Sequence, residues 1–223
     1  MKDIQLRGLA SKLVLFCLNT LWRNMDIWKG FRGREDVQIL DVGCGRHSPI
    51  SQIIKSQRFH AIGLDIFEPN LREAKRKGIH QDVILGDATA LPLKNKTFNL
   101  AVLIEVLEHL NREDGEKALA ELERVSKETV LITTPVRKCV HHDYYGNPFE
   151  EHKYIWNIKD LRARGFTVRG KGIRGLTGGD RWWLSFPRFM RPLQYAIYIL
   201  GTLVSYFFPA LGESVIAWRC LSV

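Results

Sequence analysis

A doubly wound α/β domain on a mostly parallel sheet is the fold this chain predicts, and three observations carry it. Short apolar runs alternate with charged amphipathic stretches between residues 38 and 135. The first run, Ile39-Leu40-Asp41-Val42, passes straight into Gly43-Cys44-Gly45, where missing side chains allow a tight turn and a close ligand approach. The second run, Ala61-Ile-Gly-Leu-Asp65, ends in an acid. Strands alternating with helices imply parallel crossovers, and such sheets bind ligands at the carboxyl ends of their strands.

The elements follow in order. Ile39–Val42 is the first strand. Ser48 suits an N-cap and Pro49 a first helical position, so a helix is expected over 49–55. Ala61–Asp65 is the second strand. Asn70–Lys77 reads as a helix with Asn70 as its cap and Gly78 as its stop. Val83–Leu85 is a third strand, followed by Gly86-Asp87. Phe98–Ile104 is a longer apolar run that suits the sheet centre. Glu113–Lys127 is an amphipathic helix, and Thr129–Thr134 a fifth strand stopped by Pro135. Residues 135–156 form a polar, aromatic loop. Asn157–Arg164 is a short helix ended by Gly165, Phe166–Ile173 alternates like a strand, and Ser214–Leu221 is the last strand. Residues 4–25 place Ile4, Leu6, Leu9, Leu13, Phe16, Cys17 and Leu21 at helical spacing. We therefore expect an N-terminal amphipathic helix within 1–34 that packs on a domain spanning 35–223.

The composition bounds the function without fixing it. The 223 residues suffice for one α/β domain, with 45% hydrophobic and 26% charged residues. A formal net charge of +9 permits nucleic acid or acidic lipid as a partner and specifies neither. Cys17, Cys44, Cys139 and Cys220 form no Cys-x-x-Cys pair, which argues against a zinc site or a disulfide framework and suits a reducing cytoplasm. No signal peptide is recognisable at the N-terminus.

The chemistry gathers around the glycine turn. Gly-x-Gly after a strand also occurs in dinucleotide-binding folds. Asp41 sharpens it, because a carboxylate there opposes a pyrophosphate and suits a cationic ligand carrying an ammonium and a sulfonium. Asp65 lies 22 residues beyond Gly43, close to the roughly 20 expected for an acid that binds ribose hydroxyls. Asp87 follows the third strand in Gly86-Asp-Ala-Thr-Ala-Leu-Pro-Leu93. Either acid alone would suit a helix cap or a solvated turn.

In their joint order these features resemble the class I S-adenosylmethionine (SAM)-dependent methyltransferases, close to the type 11 family. Residues 37–49 resemble the family's first motif. Phe98-Asn99 is similar to its Phe-Asp before the fourth strand, and Glu105-Val-Leu-Glu-His109 to the segment closing that strand. His152-Lys-Tyr-Ile-Trp156 and Gly165-Phe166 resemble two further signals. The resemblance covers about 35–175. It implies a Rossmann-like, seven-stranded sheet with an antiparallel final strand and helices on both faces. It implies SAM as cofactor, bound by Asp41, Gly43, Cys44, Gly45, Asp65, Ile66, Asp87, Ala88 and Glu105. Asp41 is open between the cofactor's amino group and the ordering of the loop. His47 stands where the family often has a third glycine.

The methyl group of a sulfonium is already electrophilic, so positioning and desolvation can supply most of the acceleration. A base is needed only where the acceptor must lose a proton. Glu105, His109, His141, His142, Asp143, Tyr144 and His152 are candidates. Adjacent loop residues rarely supply three metal ligands, so His141-His142-Asp143 gives no expectation of a metal.

Residues 181–211 form a hydrophobic insertion, and Pro192–Gly212 carries no charge. The run approaches the roughly 20 residues needed to span a bilayer, but Gln194, Thr202, Ser205, Gly201 and Pro209 dilute it. A buried or substrate-capping helix is the first reading, and an interfacial helix touching a membrane the second. The expected reaction is methyl transfer to a small or lipid-like acceptor. Competing readings are an RNA or protein methyltransferase, an NAD-type oxidoreductase and a non-catalytic membrane-associated SAM-binding module. Oligomeric state is not legible.

Overall fold

The computed structural model describes residues 30–31, 33–48, 50–51, 54, 59–137, 146–174 and 187–221. Seven strands make one sheet: β1 Gln38–Val42, β2 His60–Asp65, β3 Asp82–Leu85, β4 Phe98–Ile104, β5 Ser126–Pro135, β6 Thr167–Lys171 and β7 Ser214–Cys220. Their order is β3-β2-β1-β4-β5-β7-β6. Pairing is parallel from β3 through β5, and β7 is antiparallel to both β5 and β6. The expected sheet with its antiparallel last strand is therefore present.

β4 explains the architecture best. All seven of its residues are buried, as a central strand covered on both faces requires. Leu100, Val102 and Ile104 pack with Ile39, Phe59 and Leu131 on one face. Ala101 and Leu103 pack with Leu40, Val42, Leu119 and Leu122 on the other. Phe98 lies on the second face because a register shift between Phe98 and Leu100 breaks the alternation.

Four helices accompany the described sheet: α1 Glu68–Lys77, α2 Arg112–Val125, α3 Ile158–Ala163 and α4 Arg191–Phe207. α2 buries Gly115, Ala118, Leu119, Leu122 and Val125, an unbroken apolar stripe. Asn111 caps it by accepting from the Asp114 N–H at 2.9 Å. The helix ends two residues before the expected Lys127, because Ser126 already pairs with Phe98 in the sheet.

α1 corrects one expectation. It starts at Glu68, not Asn70, and Pro69 occupies its first turn. Gly78 ends it in the left-handed region, at φ 58°, as expected. Ser48 departs too, since its hydroxyl goes to Asp41. Pro49, the expected N-terminal helix of 1–34 up to residue 29, and residues 181–186 of the insertion lie outside the described residues. Of that leading segment, Phe31 is buried in the core and Arg34 makes a two-pronged ion pair with Glu128, at 2.9 and 3.1 Å.

α4 is turned inside out. Gln194, Tyr198, Gly201 and Ser205 are its buried residues, whereas Leu200 is 62% and Phe207 72% exposed. Close approach to β6 selects this face. A Cβ on Gly170 would lie 2.4 Å from the Ser205 carbonyl oxygen, and one on Gly201 2.6 Å from Ile173. Thr202 Oγ1 accepts from the Gly172 N–H at 3.1 Å. The helix needs small and polar residues to sit against the strand, so its large apolar residues point outward. No helix among the described residues is long and apolar enough to cross a membrane.

Trp156 ties the chain after β5 back to the sheet. It is buried over Gly115 of α2, and its indole N–H donates to the Leu107 carbonyl at 3.2 Å. Trp156→Ala should lower the unfolding free energy by about 3–5 kcal/mol, the usual cost of a large aromatic truncated in a core. Urea denaturation measures this, and a loss below about 1 kcal/mol would show that the indole is not a fixed part of the core.

Candidate active site

The carboxyl ends of β1, β2, β3 and β4 open onto one cleft of about 740 Å³, counted out to open solvent. Its walls include Gly43, Gly45, Asp65, Ile66, Asp87, Ala88 and Glu105, seven of the nine residues expected to bind the cofactor.

The glycine turn hangs on β2. The Gly43 and Cys44 N–H groups both donate to the Leu64 carbonyl, at 2.7 and 3.0 Å. Gly43 holds φ 68° and Gly45 φ 57°. A Cβ on Gly43 would lie 2.2 Å from Val106, so the segment after β4 closes on this glycine directly. At Gly45 the space is open. The two glycines thus answer different needs, close packing at the first and backbone conformation at the second.

Asp65 pins the turn from the other side. One carboxylate oxygen accepts from the Gly45 N–H and the other from the Phe67 N–H, both at 2.8 Å. Asn70 adds a side-chain hydrogen bond, which accounts for a residue that sequence reasoning took for a cap. Burial pushes the Asp65 carboxyl above the usual range, and the Phe67 and Gly45 amides hold it partly down. Asp87 folds back on its own turn, accepting from the Thr89 N–H at 2.8 Å and its hydroxyl at 2.9 Å.

Neither Asp41 nor Cys44 lines the cleft. Asp41 is 1% exposed and accepts from the Ser48 hydroxyl at 2.5 Å, with His80 Nε2 at 2.9 Å. It orders the loop from beneath. Cys44 packs with Leu71 and Ala74, and burial pushes its thiol well up, with the Asp41 and Asp65 charges adding to the shift. His47 faces Lys77, with its Nε2 2.8 Å from the ammonium.

The far end of the cleft is built from the segment after β4. Glu105 holds φ 53°, a strained value for a residue with a side chain. Its N–H donates to the Thr133 carbonyl at 3.0 Å, and its carboxylate accepts from the Thr133 hydroxyl at 2.8 Å. Glu108 is buried behind it and accepts from the Thr134 hydroxyl at 3.1 Å. Burial and then the Glu105 charge drive the Glu108 carboxyl well above the usual range. Burial would lower Lys171, yet Tyr198 and the Glu105 and Glu108 charges carry it above its ordinary value.

Of the base candidates, Glu105 and His109 line the cleft and His152 is buried beside His109, their ring centroids 4.9 Å apart. His141, His142, Asp143 and Tyr144 lie outside the described residues. Asn147, Phe149, Glu150 and Lys153 also line the wall; no motif marked the first three, and Lys153 lies within the His152–Trp156 signal.

Residues 40–132 match the methyltransferase domain family. An uncharacterised protein of Methanocaldococcus jannaschii is 30% identical over 142 residues, which are 63% of this chain and 59% of that one. A tRNA (carboxymethyluridine(34)-5-O)-methyltransferase of Arabidopsis thaliana is 39% identical over 98 residues, 43% of this chain and 23% of that one. The chain thus spans less than two thirds of the length of either relative. Among solved structures, a SAM-dependent methyltransferase from Archaeoglobus fulgidus superposes with a TM-score of 0.58 at 18% identity, over 92% of this chain and 94% of that one. The fold is the Rossmann-like one seen in SAM-dependent methyltransferases, and the match to the methyltransferase domain family lies within it. The matched stretch runs from β1 into β5 and carries the glycine turn, Asp65, Asp87 and Glu105.

The two glycines should respond unequally. Gly43→Ala combines a left-handed backbone with the Val106 clash, whereas Gly45→Ala incurs only the backbone term, about 1–2 kcal/mol. Thermal denaturation should therefore rank Gly43→Ala as the less stable, and the reverse order would show that Val106 does not close on the turn.

Proposed function

We propose that this chain transfers a methyl group from SAM to a small or lipid-like acceptor by in-line displacement. One observation carries the reading. Gly45, Asp65, Ile66, Asp87 and Ala88 converge on a single cleft inside the stretch that matches the methyltransferase domain family. In this reading Asp65 accepts from the ribose hydroxyls while holding the Gly45 amide. Asp87 or the Ala88 amide meets the adenine edge, and Ile66 offers an apolar surface to the ring. The turn at 43–45 takes the amino-acid end. The methyl group then faces Glu105 and His109. The acceptor's lone pair forms the new bond, the C–S bond breaks, and its electron pair stays on sulfur to leave S-adenosylhomocysteine. Glu105 or His109 is placed to take a proton where the acceptor carries one.

The outward face of α4 supports a lipid-like acceptor and a peripheral membrane contact within 181–211. Phe189 before α4 is 82% and Phe208 after it 63% exposed, Leu200 and Phe207 of the helix are exposed as well, and no acidic residue lies in α4. Such a patch marks a surface that meets something apolar. The scattered cysteines support a cytoplasmic site for this contact. A second reading, methylation of RNA, is favoured by the match to the Arabidopsis tRNA methyltransferase and by the +9 charge.

Release of S-adenosylhomocysteine should be screened against lipid, quinone, small-molecule and RNA pools. Turnover on the lipid or small-molecule pools is the expected result. Turnover on RNA alone replaces the reading by the second. Calorimetry should give binding of SAM and none of NAD.

SAM affinity should carry the mark of Asp65. The group must be ionised to accept from the ribose, and its carboxyl titrates above the usual range, so affinity falls on acidification at a higher pH than an ordinary aspartate would give. Asp65→Asn should weaken binding by about 1–3 kcal/mol and remove that pH dependence. An unchanged calorimetric profile in the variant would place the ribose elsewhere.

Leu200→Ser combined with Phe207→Ser should abolish co-sedimentation with anionic liposomes and leave SAM affinity unchanged, because both side chains point away from the sheet. A native chain that never co-sediments overturns the membrane contact.

A further inference from the structure

Glu108, His109 and His152 bring a carboxylate oxygen and two imidazole nitrogens within 4.8 Å of one another. They come from two distant stretches that the backbone locks together. The Lys153 and Tyr154 N–H groups both donate to the Glu108 carbonyl, at 2.8 and 3.2 Å. Trp156 bonds to the carbonyl of Leu107 next to it. The two imidazoles meet edge to face, with an angle of 84° between their planes. The cluster therefore rests on fixed backbone, which a ligand site needs for its geometry.

The neighbouring groups orient each donor. Thr134 holds one Glu108 oxygen and so fixes the direction of the carboxylate. His109 Nδ1 lies 3.2 Å from the Glu151 carbonyl. A proton donated there puts the ring lone pair on Nε2, the arrangement in which metal-binding histidines are commonly held. Glu150 stands 4.0 Å from that Nε2 through one oxygen, while its other oxygen accepts from the Asn147 amide at 2.9 Å. Glu105 adds its charge to that of Glu108, Lys171 lies in the field of both, and Lys153 is on the cleft wall.

We propose that Glu108, His109 and His152 hold a divalent first-row transition-metal ion at the wall of the cleft, with coordination positions open to an oxygen-bearing ligand. Two imidazoles and one carboxylate suit zinc, manganese, cobalt or ferrous iron, and leave positions that protein does not fill. Magnesium and calcium prefer oxygen alone. Bonds of about 2.1 Å place tetrahedral ligands roughly 3–4 Å apart, so side-chain rotation suffices to close the cluster on an ion. His109, Glu105 and Glu150 all line the cleft, so the open side faces the acceptor end. Metal binding stands independently of methyl transfer. Only the identification of the oxygen-bearing ligand with the methyl acceptor rests on the proposed function.

The test is a Co²⁺ titration of the full chain after chelator treatment, read by visible d–d absorption. One Co²⁺ per chain, displaced by Zn²⁺, is expected. His152→Ala should weaken it at least about 100-fold, since losing a ligand exceeds the 10–100-fold cost of losing an outer partner. Glu108→Gln keeps the size and the Thr134 partner, and should weaken it comparably if His152→Ala fails to fold. No Co²⁺ bands in the native chain overturn the proposal, as do bands that survive both His152→Ala and Glu108→Gln. SAM calorimetry on the metal-free chain separates this outcome from a failure of the cofactor reading, because SAM binding there stands whether or not the metal does.

Discussion

The burial of β4 on both faces sets the terms for the rest of the structure. None of its seven residues can carry a reactive group to solvent sideways. Polar chemistry therefore emerges only where the strand stops, at Glu105, and β1, β2 and β3 end at the same level because they run parallel. The Glu105 N–H still bonds to Thr133, and holding that bond puts the residue at φ 53°. The strain is local, and the segment it redirects brings Val106 onto Gly43 and aims His109 at the cleft. One buried strand thus joins the glycine-turn end of the cleft to the end formed by Glu105 and His109.

Much of this was legible because the signals are local. Gly43, Gly45, Asp65 and Asp87 sit at strand ends, and a strand end is marked within a few residues by an apolar run and a turn. β4 was found to the residue because its run is bounded by Thr97 and Glu105. The sheet and its antiparallel edge followed from element order and from the family resemblance.

What was missed depends on contacts that sequence distance hides. Asp41 beside the glycine turn was open between the cofactor's amino group and the ordering of the loop, and its partner His80 lies 39 residues away with nothing local to announce it. Asn70 has the composition of a cap. It instead supports Asp65, because Pro69 moves the helix start to Glu68. The wall formed by Asn147, Phe149, Glu150 and Lys153 comes from a loop without periodicity. Glu108 and His152, read apart, showed no relation. Only the backbone bonds from Lys153 and Tyr154 to Glu108 bring them together.

The insertion shows how packing can reverse a composition rule. An uncharged helix reads as core, and α4 does lie on the domain, but the strand it covers dictates which face goes in. β6 carries Gly170 where the Ser205 backbone arrives, and any side chain there would push the helix away. The contact is so close that only Gly201, Ser205 and their polar neighbours fit, which leaves leucine and phenylalanine outside. The same strand ends at Lys171, in the field of Glu105 and Glu108, and Tyr198 of α4 shares that field. The outward apolar face is therefore carried by a helix–strand unit whose Lys171 lies in the field of Glu105 and Glu108, behind the cleft wall. Packing at a glycine thus decides both which face of α4 meets the strand and which face is left to the outside.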